Sequence, residues 1–213
     1  LEVVRALLDA KAEVNKADND GWTPLYWASC EGHLEVVRAL LDAKAEVNKA
    51  STHGGTPLYE ASYNGHLEVV RALLDAKAEV NKASTHGGTP LYEASYNGHL
   101  EVVRALLDAK AEVNKASTHG GTPLYEASYN GHLEVVRALL DAKAEVNKAS
   151  THGGTPLYEA SYNGHLEVVR ALLDAKAEVN KASTHGGTPL YEASYNGHLE
   201  VVRALLDAKA EVN

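Results

Sequence analysis

Eleven histidines and one cysteine are the side chains here that could hold a metal or attack a substrate. The histidines form two ladders. His53, His86, His119, His152 and His185 recur at a 33-residue step, as do His33, His66, His99, His132, His165 and His198. Zinc needs its ligands about 2 Å from one centre. Equivalent residues on stacked neighbours sit about 8–10 Å apart, the usual interhelical spacing. No His-x₃-His pair occurs, so the His66 class reads as a helix-start residue and the His53 class as turn-tip decoration. Cys30 has His33 three residues on, but no third group is in view to orient the pair. Gly54-Gly55 is followed by Thr56-Pro57 and not by Lys-Ser/Thr, which excludes a phosphate loop. Catalysis combines different groups in one place, and a periodic chain offers the same few groups everywhere. The expectation is a non-enzymatic chain with no catalytic residue, no cofactor and no metal.

The elements that must carry these residues follow from the period. All six prolines (Pro24, Pro57, Pro90, Pro123, Pro156 and Pro189) sit 33 residues apart in Thr-Pro pairs. The unit starting at Leu34 repeats without change from Leu67, Leu100, Leu133 and Leu166, and residues 199–213 open a further copy. Only the first block departs, with DNDGWTPLYWASCEGH in place of STHGGTPLYEASYNGH. Self-similarity at 20–50 residues marks a stacked array. One array over 1–213 is therefore expected, with 1–20 a partial first repeat and 21–213 about six further repeats.

Each unit holds two helices. Leu67, Val70 and Leu74, with Val69 and Leu73 beside them, form an apolar stripe over 67–76. Glu68, Arg71 and Asp75 fall opposite, spaced for weak pairs of about 0.2–0.5 kcal/mol each. Thr56 is placed to cap a shorter helix, with Pro57 at its first position and Asn64-Gly65 at its end. Ala61 and Ser62 let the two antiparallel helices approach. The stretch from Lys77 to Gly88 is an extended arm, with Val80 its apolar anchor and a glycine turn at its tip.

Composition narrows the partners. The net charge is −9, hydrophobic residues are 45% and charged residues 23%, and Phe and Met are absent. Acids outnumber bases and lie near each of them, so neither nucleic acid nor an anionic membrane surface is expected. No apolar run reaches the ~20 residues of a membrane span. One cysteine excludes a disulfide framework within the chain and fits a reducing, cytoplasmic setting.

These segments resemble the ankyrin repeat over the whole chain. The residues that carry the likeness are Gly54-Gly55-Thr56-Pro57-Leu58-Tyr59-Glu60-Ala61, Gly65-His66-Leu67-Glu68-Val69-Val70, Leu73-Leu74 and Ala78-Glu79-Val80-Asn81. The fold it implies is an all-α repeat solenoid of helix-turn-helix units with β-turn arms. Three positions depart from the family pattern. Tyr59 replaces a histidine that bonds toward the neighbouring turn, and a phenol could substitute from a longer reach. Lys77 stands where glycine is common; a left-handed backbone there would cost about 1 kcal/mol per repeat. Ser51 stands where an acid often opens the turn, and only Asp18 keeps it.

The resemblance also implies a concave recognition face built from turn arms and first helices. The matching positions are Thr52, His53, Gly55, Tyr63 and Asn64, with Glu60 nearby. The partner-binding candidates are Trp22, Trp27, His53, Glu60, Tyr63, His86, Glu93, Tyr96, His119, Glu126, Tyr129, His152, Glu159, Tyr162, His185, Glu192 and Tyr195. Tyrosine and tryptophan bring large, stiff contact area to interfaces. Two readings of the Tyr63 class stand side by side: a partner groove, or filler packed along neighbouring rims. The function expected is a scaffold binding a protein or peptide. The alternative is a uniform structural or self-assembling array without a specific partner, a consensus design or a recently duplicated tract. Neither end is altered to a polar cap, which predicts head-to-tail self-association. The segment around Asn48 also resembles the one that asparaginyl hydroxylases modify.

Overall fold

The structure is a computed structural model and describes residues 1–212. Among them are thirteen helices and no strand. The short ones are α2 (Pro24–Cys30), α4 (Pro57–Tyr63), α6 (Pro90–Tyr96), α8 (Pro123–Tyr129), α10 (Pro156–Tyr162) and α12 (Pro189–Tyr195). The long ones are α1 (Glu2–Asp9), α3 (Leu34–Asp42), α5 (Leu67–Asp75), α7 (Leu100–Asp108), α9 (Leu133–Asp141), α11 (Leu166–Asp174) and α13 (Leu199–Asp207).

Local chemistry sets the helix ends. The Thr56 hydroxyl accepts the Tyr59 N–H at 3.2 Å, and Pro57 takes the first position, where no N–H is needed. The short helix stops at Asn64. The His66 N–H returns to the Ala61 carbonyl while Gly65 turns left-handed at φ 76°. The long helix ends the same way on a residue less suited to it. Lys77 takes φ 67°, and the Ala78 N–H returns to the Leu73 carbonyl. All seven equivalent lysines share this conformation.

The chain divides into two compact units. The first comprises residues 1–94 and 101–112, the second 95–100 and 113–213. In the first, α2 packs on α3 and α4, α4 on α5, and α3 on α5. In the second, α8, α10 and α12 stack in order, each against its own long helix, while α9, α11 and α13 stack beside them. Short helix thus lies on short and long on long. The core repeats as Leu58, Ala61, Val69, Val70 and Leu73, and as Leu124, Ala127, Val135, Val136 and Leu139. Each fully buried leucine or valine contributes about 1.5–3 kcal/mol. The buried stripe is centred differently from the expected one. Val69, Val70 and Leu73 are buried, while Leu67 and Leu74 are only half-buried. The close Ala61–Ser62 face of α4 draws the long helix in along its centre.

The arms are held by backbone hydrogen bonds. Ser51 N–H donates to the Gly55 carbonyl and Gly54 N–H to the Ser51 carbonyl, closing the turn. Thr85 N–H donates to the His53 carbonyl of the arm before, as Thr184 does to His152. Gly54 is required here: its φ is 81°, and a Cβ would lie 2.8 Å from the Thr85 nitrogen.

Candidate interaction surface

Each short helix from α4 to α12 carries two tyrosines one turn apart, and they meet different fates; α2 has Tyr26 alone, with Cys30 at the second position. Tyr59, in the first turn, donates its hydroxyl to the Glu93 carboxylate of the next short helix at 2.7 Å. Tyr125 reaches Glu159 and Tyr158 reaches Glu192 in the same way at 2.7 Å, and Tyr26 reaches Glu60 at 2.5 Å. The phenol thus supplies an inter-repeat bond, and its acceptor is a carboxylate. Burial first, and then donation to a carboxylate, push the Tyr26, Tyr59 and Tyr125 phenols above their usual range and Tyr158 up to about 12. Burial likewise holds the Glu60 and Glu159 carboxyls above the ordinary carboxylate range, and the tyrosine hydrogen bond opposes that shift.

This geometry redirects one group of the sequence candidates. Glu93, Glu126, Glu159 and Glu192 are at most 9% exposed and Glu60 is half-buried, so the four offer little open surface and Glu60 only part of its own. They lie where one short helix meets the next, and a carboxylate taken out of water there needs a donor.

The second rung lies at the helix end. Tyr63, Tyr96, Tyr129 and Tyr162 keep 40–43% of their surface exposed, and Tyr195, on the last short helix among the described residues, keeps 77%. Within the second unit the following repeat therefore covers part of each ring and leaves the rest open. His53, His86, His119, His152 and His185 are exposed at the turn tips. Trp27 is 42% exposed and Trp22 half-buried. The two rings meet edge to face at 4.8 Å, and Trp22 stacks on Tyr26 at 5.9 Å. Thr52 is exposed beside His53, and Asn64 spends its amide on the Glu60 carbonyl at 3.0 Å and the Cys30 sulfur at 3.6 Å.

Several polar groups tie repeat to repeat. Asn48 accepts the Glu79 N–H at 2.8 Å, and Lys82 donates to the Asn48 carbonyl at 3.0 Å. Asn15, Asn81, Asn114, Asn147 and Asn180 accept the same bond, while Asn213 lies outside the described residues. His66 Nε2 donates to the Cys30 carbonyl at 2.9 Å, and His132 to that of Tyr96. On the long helix α5, Arg71 pairs with Glu68 at 2.8 Å and not with Asp75. Burial, then the nearby Glu60 and Glu31 carboxylates, push the Cys30 thiol up, away from its reactive form. Among the described residues no group of three or more His, Cys, Asp or Glu is placed to hold a metal ion.

Helix pairs repeated every 33 residues, with turn arms bonded tip to tip, define a repeat-stacking protein. The family description "Ankyrin repeats (3 copies)" matches residues 1–84, 81–150 and 145–213, and the chain belongs to the ankyrin-repeat family. No curated protein matches it. Ankyrin repeats are generally protein–protein interaction modules. No helix among the described residues is long and apolar enough to cross a membrane.

Proposed function

We propose that the chain is an interaction scaffold that holds a protein or peptide against its turn tips and short helices, without catalysing a reaction. The supporting observation is the split between the two tyrosine rungs. One is consumed in bonds between repeats, and the other offers partly open rings in the same setting, repeat after repeat. The surface proposed for the partner is the Tyr63 class, the His53 class, and Trp22 with Trp27. The test is selection of a displayed peptide library on the chain. Enriched peptides should bind the parent and lose affinity when Tyr63, Tyr96, Tyr129, Tyr162 and Tyr195 become alanine, with helical circular dichroism unchanged. Enriched peptides that ignore this change would contradict the reading.

A second reading is a uniform, self-assembling array. Exact repetition favours it, because one globular partner asks for different residues in different repeats. So does the apolar surface of α1, which buries no residue and faces an open groove of about 340 Å³ lined by Val4, Leu7, Leu8, Trp27, Val36 and Leu40. For this 213-residue chain, that reading predicts light-scattering mass that rises with concentration. A constant monomer mass from micromolar to millimolar would contradict it.

A further inference from the structure

The first three turn arms and the short helices behind them enclose a hollow of about 190 Å³, lined by Trp22, Tyr26, Tyr59, Glu60, His53 and His86, with Ser51, Gly55 and Ser84 between them. Small-molecule sites usually span about 300–1,000 Å³, so this space suits a single side chain. The Trp22 and Tyr26 rings stack with an 8° interplanar angle, giving one aromatic wall. The Glu60 carboxylate accepts the Tyr26 hydroxyl and has capacity for further donors.

Trp22 is what sets this hollow apart. The uniform repeats carry glycine at its position, as Gly55, Gly88, Gly121, Gly154 and Gly187. The turn before it carries Asp18 and Asp20, where the uniform repeats carry serine and histidine. Asp18 closes its own turn by accepting the Asp20 and Trp22 N–H groups, which fixes the tryptophan backbone. Asp20 is exposed at the tip. An aromatic wall, a carboxylate and an acidic tip, in a chain of net charge −9, complement positive charge and oppose an anion.

We propose that this hollow is a socket for one cationic side chain, a lysine or arginine, of a protein segment lying across the turn tips. The proposal rests on the interaction-scaffold reading and names the partner's chemistry. The cation sits against the Trp22 face, the best of the aromatic rings for this contact, and its N–H groups donate to Glu60.

The test titrates the ¹⁵N-labelled chain with N-acetyl-lysine amide and with its neutral isostere N-acetyl-norleucine amide, following the Trp22 indole N–H signal. The lysine amide should shift that signal saturably, and the norleucine amide should bind about tenfold more weakly or less. Equal binding of the two overturns the proposal. Trp22→Gly keeps a residue that five other repeats already carry, so the fold stays intact. With a labelled Gly-Ser heptapeptide holding one central lysine, fluorescence anisotropy should show about a tenfold loss in that variant. Unchanged affinity overturns the socket. A library peptide that needs the Tyr63 class yet binds Trp22→Gly as well as the parent would remove the socket and leave the scaffold reading standing.

Discussion

Tyr125 and Tyr129 belong to the same short helix, one turn apart, yet only the second is exposed. Tyr125 ends on the buried Glu159 carboxylate, while Tyr129 keeps 40% of its surface in solvent. Residue type is the same and the helix is the same. What differs is the next repeat, which places an acceptor beside the first turn and only partial cover beside the last. The exposure of each ring is thus decided between repeats and not within one. The last short helix shows the comparison with the neighbour gone. Tyr191 is 59% exposed, and its ring stacks on Tyr195 at 6.2 Å.

The largest effect that would break this comparison is on binding. Replacing the five Tyr63-class residues by alanine should weaken a selected peptide about a hundredfold or more, since aromatic anchors dominate interfaces. Anisotropy titration reads it. Next comes stability. Tyr125→Phe strips the donor from a buried carboxylate and should cost about 1.5–3 kcal/mol in urea unfolding. Tyr191→Phe, on an exposed ring, should stay within about 0.5 kcal/mol. Equal costs would erase the distinction between a bonded and an open phenol.

A smaller effect sharpens the comparison by raising the background. Lys143→Gly relieves a left-handed lysine at φ 67° and should stabilise the chain by about 1 kcal/mol without touching either rung. The smallest effect is in the pH dependence. An unfolded phenol ionises near 10, whereas burial holds Tyr158 up to about 12 and pushes Tyr26, Tyr59 and Tyr125 up as well. Above pH 10 the unfolded chain therefore holds fewer protons than the folded one, and stability falls as pH rises. Tyr125→Phe should flatten that fall in urea midpoints taken at about pH 9, 10 and 11. The glutamates act in the same direction at lower pH. With folded-state values raised, Glu60 and Glu159 contribute stability below the unfolded carboxyl range and lose it as pH rises through their own.

The array was legible in sequence because its signals are local. The proline period, the Thr56 cap and the Asn64-Gly65 stop each act within a few residues, and the structure repeats them. Lys77 was legible too, since helix termination there calls for a left-handed residue whatever its side chain. The glutamates were not. Glu93 is an acid on a short helix with a charged-residue preference for water, and its donor Tyr59 lies 34 positions earlier in the chain. Only stacking brings them together. The socket was half legible: Trp22 and Trp27 were visible as departures from a uniform pattern, while the enclosure by His53, Glu60 and His86 depends on how three arms stack.

The central claim is that the first-turn tyrosines couple one repeat to the next through a buried glutamate. A double-mutant cycle on Tyr125→Phe and Glu159→Ala, read by equilibrium urea unfolding, tests it most directly. A coupling energy of about 1–3 kcal/mol is predicted for the pair. Strict additivity of the two single changes would contradict it.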